Sequence, residues 1–360
     1  MTPSSQNRSI DNLLSLAPRV KLAALPTPLT HAARFSAAIG ADVWIKRDDI
    51  GALGLAGNKV RKLEFLLGQA LEDGADTVVT LGTRISNSAR AAAAACAQLG
   101  LRCVLILGGN EPPSANGNLL LDTLFGAELR HQPDISATGA VRWDRLDEVN
   151  SEIAATLTHE GLKPYVLPVG CSSPRSVLGF VAGYLELLQQ LEAVRLSPQR
   201  VYHASTSGGT HAGLVLGHWL VGSGPRPFAV GAADNVYPDM GERYNELVVA
   251  GADLLGAPSD GASRLVKLDM DFLGAGYGIV TRESLEAIAL LARTEGILTD
   301  PIYTGKALAA LVHAARRGDV RESVVFWHTG GSPGVFEPEY ASALWRHSRG
   351  DATAAHGEPI

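Results

Sequence analysis

The stretch Gly54-Leu55-Ala56-Gly57-Asn58-Lys59-Val60-Arg61-Lys62-Leu63-Glu64 carries a glycine-bracketed turn straight into a segment of periodic apolar residues. Glycines at both ends of the turn let the backbone adopt positive φ and approach a ligand closely. Val60, Leu63, Leu66, Leu67 and Ala70 then recur at helical spacing, with Arg61, Lys62, Glu64 and Gln69 mostly on the opposite side, so an amphipathic helix is predicted. Lys59 falls in its first turn, where the partial positive charge of the helix end disfavours an ammonium. A lysine held there and partly desolvated can lose its proton and act as an amine toward a carbonyl. A solvated lysine at a helix start is the plain alternative for any single lysine, and the rest of the chain has to decide between them.

Composition narrows the field first. At 360 residues the chain can bury a large core and divide into two lobes, and 46% hydrophobic with 19% charged residues suits a globular, helix-rich enzyme. A formal net charge of −6 leaves no basic footprint for nucleic acid. No run of about 18 apolar residues is present to span a membrane. Met1 to Asn12 is polar and lacks the apolar centre of a secretory signal. Cys96, Cys103 and Cys171 are odd in number and share no close metal-binding spacing, which points to a reducing cytoplasm and buried thiols. The histidines show no HExxH-type spacing, so no metal is expected.

Along the chain, apolar runs alternate with helical patterns. Residues 1–20 read as a poorly ordered arm ending in a short apolar helix near Leu13 to Leu16, and Asp42 to Lys46 as a short strand. Thr77 to Leu81 reads as a strand before Gly82, followed by a helix of small residues (Ala89, Ala91 to Ala95, Ala97) and a second strand from Cys103 to Leu107. This is a βαβ unit, and its repetition implies a parallel sheet. Gly117 to Asp122, Val141 to Leu157 and Phe180 to Leu191 read as helices, Arg200 to Ala204 as a strand, and Ala212 to Leu220 as a small-residue helix. Residues 227–233 and 324–327 read as strands, and Ser284 to Thr294 and Gly305 to Arg316 as helices; residues 237–275 carry no clear pattern.

Four further stretches carry chemistry. Ser207-Gly208-Gly209-Thr210 joins a strand to a helix, with side chains small enough for successive N–H groups to converge on an anion at the helix end. Ser86-Asn87-Ser88 opens the alanine helix, as an N-cap or as a second anion site. Asp300-Pro301-Ile302-Tyr303-Thr304-Gly305 makes a turn, and His328-Thr329-Gly330-Gly331 closes the last strand.

Taken together these motifs resemble those of the fold-type II enzymes dependent on pyridoxal 5'-phosphate (PLP), which share the α/β, two-lobed, tryptophan synthase β-like fold. Within that class they are similar to the D-cysteine desulfhydrase and 1-aminocyclopropane-1-carboxylate (ACC) deaminase family, whose cofactor lysine lies in Gly-Asn-Lys-x-Arg-Lys. The likeness returns at 26–50, 78–130, 164–188, 203–214, 276–306 and 325–334. It implies parallel-sheet lobes, a large one from 1–56 and 179–360 and a small inserted one at 57–178. It further implies that Lys59, with Asn58, holds PLP; that Ser207, Gly208, Gly209 and Thr210 hold its phosphate; and that Asn87 meets its phenolic oxygen. Ser86, Asn87, Ser88 and Tyr303 would meet the substrate, with Ser86 and Tyr303 near the reacting carbons. Thr304 would face the pyridine nitrogen and Thr329 would close the cofactor site. The Lys46-Arg47-Asp48-Asp49 run belongs to the lobe wall.

The pattern departs from the family where Gly-Gly-Val-Gln-Ser-Asn-His-Ala-Arg-Gln reads Gly82-Thr83-Arg84-Ile85-Ser86-Asn87-Ser88-Ala89-Arg90-Ala91. Arg84 is new: it would bind a second anionic group of the substrate, or else point to solvent or pair with an acid. Thr304 and Thr329 match desulfhydrase-like members, whereas Gly170-Cys171-Ser172 matches the ACC deaminases. A neutral Thr304 donating to the ring nitrogen would leave it unprotonated. The resemblance implies a cytoplasmic homodimeric lyase acting on a small amino acid, most simply by α,β-elimination of a D-cysteine-like substrate. Ring-opening deamination, β-replacement and racemisation are the alternatives within the same pocket, and a catalytically silent ligand-binding member is the alternative of another class.

Overall fold

The computed structural model describes residues 3–51, 53–55, 57–133, 141–234 and 236–350; Ala56 of the lysine turn lies outside them. In chain order the elements are α1 (Pro3–Ser15), β1 (Leu29–His31), α2 (Ala33–Ile39), β2 (Val43–Arg47), α3 (Lys59–Glu72), β3 (Thr77–Thr83), α4 (Asn87–Leu99), β4 (Arg102–Gly108), α5 (Gly117–Leu124) and β5 (Glu128–Gln132). There follow α6 (Trp143–His159), β6 (Pro164–Val166), α7 (Pro174–Ala193), β7 (Arg200–Ser205), α8 (Gly209–Val221), β8 (Arg226–Gly231), α9 (Met240–Leu254), β9 (Leu268–Asp269), α10 (Arg282–Glu295), α11 (Thr304–Arg316), β10 (Val324–His328) and α12 (Pro338–Ser348).

The strands form two sheets, one of six in the order β1-β2-β10-β7-β8-β9 and one of four in the order β5-β4-β3-β6. Among the described strands every pairing is parallel except that of β1 with β2. The strands of the smaller sheet all fall within residues 57–178 and those of the larger sheet all fall outside. All of β3 is buried, as befits a central strand covered on both faces. The alanines of α4 let that helix lie close against β3 and β4; Ser86 caps its start by accepting from Ala89 N, and Gly100 ends it in the left-handed conformation.

Three regions differ from the sequence reading. The N-terminal arm is helical from Pro3, with Ile10 and Leu14 buried in the cluster that joins α7 to α8. Residues 237–275 hold α9, capped by Asp239 and burying Tyr244, Leu247, Val248, Gly251 and Ala252. The short edge strand β5 has no alternating apolar signature, because its Glu-Leu-Arg-His-Gln run is half-buried throughout.

The polar side of α3 is also not a solvent face. Arg61, Lys62 and Glu64 are buried, and each is bound to a different part of the molecule. Arg61 donates Nε and Nη2 to Asp48 (2.9 and 2.8 Å), Nη1 and Nη2 to Glu186 (3.0 and 2.9 Å) and Nη2 to Thr27 Oγ1 (3.0 Å). Asp48 also accepts from Trp327 Nε1 at 2.8 Å, and Glu186 pairs with the buried Lys46. Burial alone would raise the Asp48 carboxyl, but the Arg61 guanidinium overcomes it and holds the group below its usual range. Glu64 accepts from the N–H groups of Leu22 (2.9 Å) and Ala23 (2.8 Å) and from Arg19. Removing Arg61 by Arg61→Met leaves the buried Asp48 carboxylate without its bound cation, and such a loss costs about 3–5 kcal/mol. Denaturant unfolding should show that loss; a change below about 1 kcal/mol would mean the cluster does not hold α3.

Candidate active site

The two sheets meet at a cavity lined from the C-terminal ends of their parallel strands, the usual ligand position in such folds. Its wall includes Asn58, Lys59 and Lys62 from α3, Gly82 and Thr83 from the end of β3, and Ser86, Asn87 and Ser88 from the start of α4. Across from them stand Ser205, Thr206, Ser207, Gly208 and Thr210, with Gly170, Trp143, Tyr277, Tyr303, Thr329 and Gly330 completing it. Among the described lining residues none is acidic.

Lys59 reaches this wall because its turn is locked to the loop after β10. Gly57 takes φ 65° and leaves no room for a Cβ against the Thr329 carbonyl, and Asn58 N donates to Thr329 O at 3.1 Å. The Asn58 amide donates to Thr210 Oγ1 at 3.0 Å, tying the lysine turn to the start of α8. Burial pushes the Lys59 ammonium down from its ordinary value, so the neutral amine forms more readily.

Opposite, Gly208 at φ 87° turns the chain into α8, whose first N–H groups face the cavity end of the helix. Ser172 Oγ braces this turn: it accepts from Gly209 N at 3.1 Å and from Lys62 Nζ at 3.0 Å and lies 2.8 Å from Ser207 Oγ. Lys62 is three residues from Lys59 and therefore on the same helix face. Its ammonium is pushed well down, by burial first and by Lys59 second, and among the described residues it has no carboxylate partner. Thr206 Oγ1 is buried with no hydrogen-bond partner among them. The buried Lys62, a helix start, a glycine turn and an unused hydroxyl form a donor set suited to a dianionic phosphate.

At the far side Tyr277 and Tyr303 share a hydrogen bond of 2.6 Å, and Tyr277 lies 3.3 Å from Thr83 Oγ1. Trp143 stacks edge-on to Tyr277 with ring centres 5.7 Å apart. Burial raises both phenols, Tyr303 well above its ordinary value with Tyr277 adding to the effect, so both keep their protons at neutral pH.

The cavity thus gathers Lys59, Asn58, Ser86, Asn87, Ser88, Tyr303, Ser207, Gly208, Thr210 and Thr329, with Gly209 just behind in the first turn of α8. Two expected residues are placed elsewhere. Arg84 does not line the cavity: its Nη2 donates to Glu339 Oε1 at 2.9 Å, because the start of α12 offers a carboxylate on the outer side of the loop. Thr304 is fully buried beneath the wall; its hydroxyl donates to Asp300 and accepts from Asp300 N at 2.9 Å. Thr304 thus does not line the cavity, and its hydroxyl faces the Asp300 carboxylate and the Gly330 carbonyl, 3.3 Å away. Lys62, Ser172, Tyr277 and Trp143 were not assigned roles from sequence. Lys62 could have been found from its i+3 spacing to Lys59, and Tyr277 from the glycines on either side of it.

A doubly parallel α/β chain with a helix-start lysine facing a glycine-turned anion cradle is the arrangement of the fold-type II PLP-dependent enzymes. The chain belongs to this family: residues 20–330 match the family described as "Pyridoxal-phosphate dependent enzyme". It is 41% identical over 328 residues to a protein of Pyrococcus abyssi and 40% identical over 326 residues to one of Pyrococcus horikoshii, each named "Putative 1-aminocyclopropane-1-carboxylate deaminase". These alignments cover 91% and 90% of this chain and 96% and 95% of the relatives. A crystal structure of an ACC deaminase homologue superposes with TM-score 0.84 at 39% identity, covering 94% of this chain and 98% of the other. Escherichia coli diaminopropionate ammonia lyase shares the fold, with TM-score 0.66 at 15% identity over 97% of this chain and 93% of its own.

The residues present fit PLP: the cradle suits its phosphate, Lys59 its aldehyde and the Asn87 amide its phenolic oxygen. Lys62 lines the same cavity beside Ser172 and would donate to the phosphate. Lys62→Met should therefore weaken cofactor retention about ten- to a hundredfold, the worth of a charge-assisted hydrogen bond, while Lys59 still forms a borohydride-reducible link. Cofactor measured in ultrafiltrates of the dialysed protein checks this, and unchanged retention would remove Lys62 from the phosphate site.

Proposed function

We propose that the protein is a lyase that carries out α,β-elimination on a small β-substituted amino acid of the D-cysteine type, releasing pyruvate, ammonia and the β-substituent. The observation that carries this reading is the hydrogen-bonded Tyr277 and Tyr303 pair, protonated by burial, in a cavity whose described lining contains no carboxylate. Phenols that keep their protons serve as donors to a departing anion, whereas a nucleophilic or basic role would need a phenolate.

Lys59 Nζ would hold the cofactor through its aldehyde and, as a free amine, would take the proton from the substrate Cα. PLP supplies, when bound, the conjugated ring that draws electron density from that carbon. The substrate carboxylate meets the start of α4, where Ser86, Asn87 and Ser88 present hydroxyl, amide and backbone N–H donors. The Tyr303 hydroxyl, backed by Tyr277, donates to the sulfur or other group leaving Cβ. Ser207, Gly208, Gly209, Thr210 and Lys62 fix the phosphate so that these contacts stay in register, and Asn58 and Thr329 hold the lysine turn.

The second reading, ring-opening deamination of ACC, is favoured by the names of the Pyrococcus relatives. The lobe division at 57–178 is retained as part of this proposal, with the cavity at the lobe junction. We also take the protein to be cytoplasmic and homodimeric. Its three cysteines are free and buried, and among the described residues no helix is long and apolar enough to cross a membrane. Leu120 and Leu124 stand exposed one turn apart on α5, which packs on the segment that carries the exposed Phe336.

A panel of amino acids tests the reading. D-Cysteine should yield pyruvate, ammonia and sulfide faster than ACC yields its keto acid and ammonia. Tyr303→Phe should lower kcat about a hundredfold with little change in cofactor content. Faster turnover of ACC would install the second reading, and no turnover of any amino acid by the loaded protein would sink both.

A further inference from the structure

Arg90 and Asn118 lie one layer behind the cavity wall and are almost wholly buried, with 0% and 1% exposure. Arg90 sits one turn after Asn87 on α4 and sends Nη2 to Asn87 Oδ1 at 3.1 Å, Nε to Asn118 Oδ1 at 2.6 Å and Nη1 to the Gly54 carbonyl. Asn118, on α5, donates its Nδ2 to Asn87 Oδ1 at 3.1 Å and to the Ile85 carbonyl at 2.8 Å. A guanidinium has donors and no acceptor, so the oxygen of each amide must face it. Both amide orientations are thereby dictated by chemistry. The Asn87 oxygen is occupied by two donors, and its NH2 makes no hydrogen bond to the described residues, although Asn87 lines the cavity. Arg90 has no hydrogen-bonded carboxylate among them: Asp122 on α5, its carboxyl pushed up to about 8 by burial, interacts with it only through space, so the direct contacts of the guanidinium are the two amides and the Gly54 carbonyl, and pulling on the Asn87 oxygen strengthens the opposite N–H as a donor.

We infer that Arg90 and Asn118 are positioning residues that clamp the Asn87 amide with its NH2 aimed into the cavity, a fixed donor to the cofactor's phenolic oxygen. Through Gly54, Arg90 also ties that donor to the turn that delivers Lys59. The inference rests on the reading that Asn87 meets the phenolic oxygen. A donor at that oxygen makes it less basic, so the proton it shares with the lysine nitrogen is lost at a lower pH. Removing the donor, or turning the amide round, moves the loss to higher pH.

Visible absorption of the holoenzyme, titrated with pH, reads this without substrate. Asn87→Ala should raise the midpoint by about one pH unit. Asn118→Asp is nearly isosteric but cannot donate to Asn87; it should produce a comparable rise, and should add little in the Asn87→Ala background. Arg90→Lys keeps the charge without the fork and should give a smaller rise, which supplies the test if Asn118→Asp fails to fold. A shift in Asn87→Ala with neither clamp variant moving from wild type, or clamp shifts that add in full to that of Asn87→Ala, would overturn the clamp. An unmoved midpoint in Asn87→Ala would remove Asn87 from the phenolic oxygen and the clamp with it.

Discussion

The Arg61 guanidinium, held between Asp48 and Glu186, sets the rotation of α3 about its own axis. Successive residues of a helix are turned by about 100°, so an anchor at one position decides where its neighbours point. With Arg61 directed at the larger sheet and Glu64 at the backbone of Leu22 and Ala23, Lys59 and Lys62 are left facing the cavity. The cost of burying three charged side chains on one helix is offset by giving Arg61 and Glu64 complete sets of partners. Lys59 and Lys62 are given no carboxylate among the described residues, Lys62 donating only to Ser172 Oγ and the Gly170 carbonyl, and they are the ones that face the cofactor site.

The same economy of charge runs through the cavity. Carboxylates are kept out of the described lining, and the nearest ones are occupied behind it. Asp300 is filled by the N–H groups of Ile302, Tyr303 and Thr304 at the start of α11, and Glu339 takes Arg84 away from the loop. Anions entering the cavity therefore meet helix starts, hydroxyls and two depressed lysines without like-charge repulsion. Asp300 also accepts from the Thr304 hydroxyl behind the wall.

Much of this was legible in the sequence because it depends on local geometry. The Gly57 turn, the Gly208 turn and the small residues before α4 each demand particular backbone conformations, and they announced three walls of the site. The alanines of α4 and the buried run of β3 announced the sheet they cover. What stayed hidden depends on contacts across long separations. Nothing local to Arg84 reveals that Glu339 will stand beside it, whereas Asp300, only four residues before Thr304, was a local partner the motif reading passed over. Lys62 looked like surface because helical periodicity separates apolar from polar residues and cannot tell solvent from a polar interior. The half-buried β5 was missed for the same reason.

The central claim is that Lys59, and no other lysine, carries the cofactor. Reducing the holoenzyme with borohydride, digesting it and mapping the pyridoxyl adduct by mass spectrometry tests this directly. The account predicts a single adduct on the peptide that spans Gly57 to Lys62, with fragment ions placing it on Lys59. An adduct on Lys62 or Lys306, or no reducible link in the yellow protein, would contradict it.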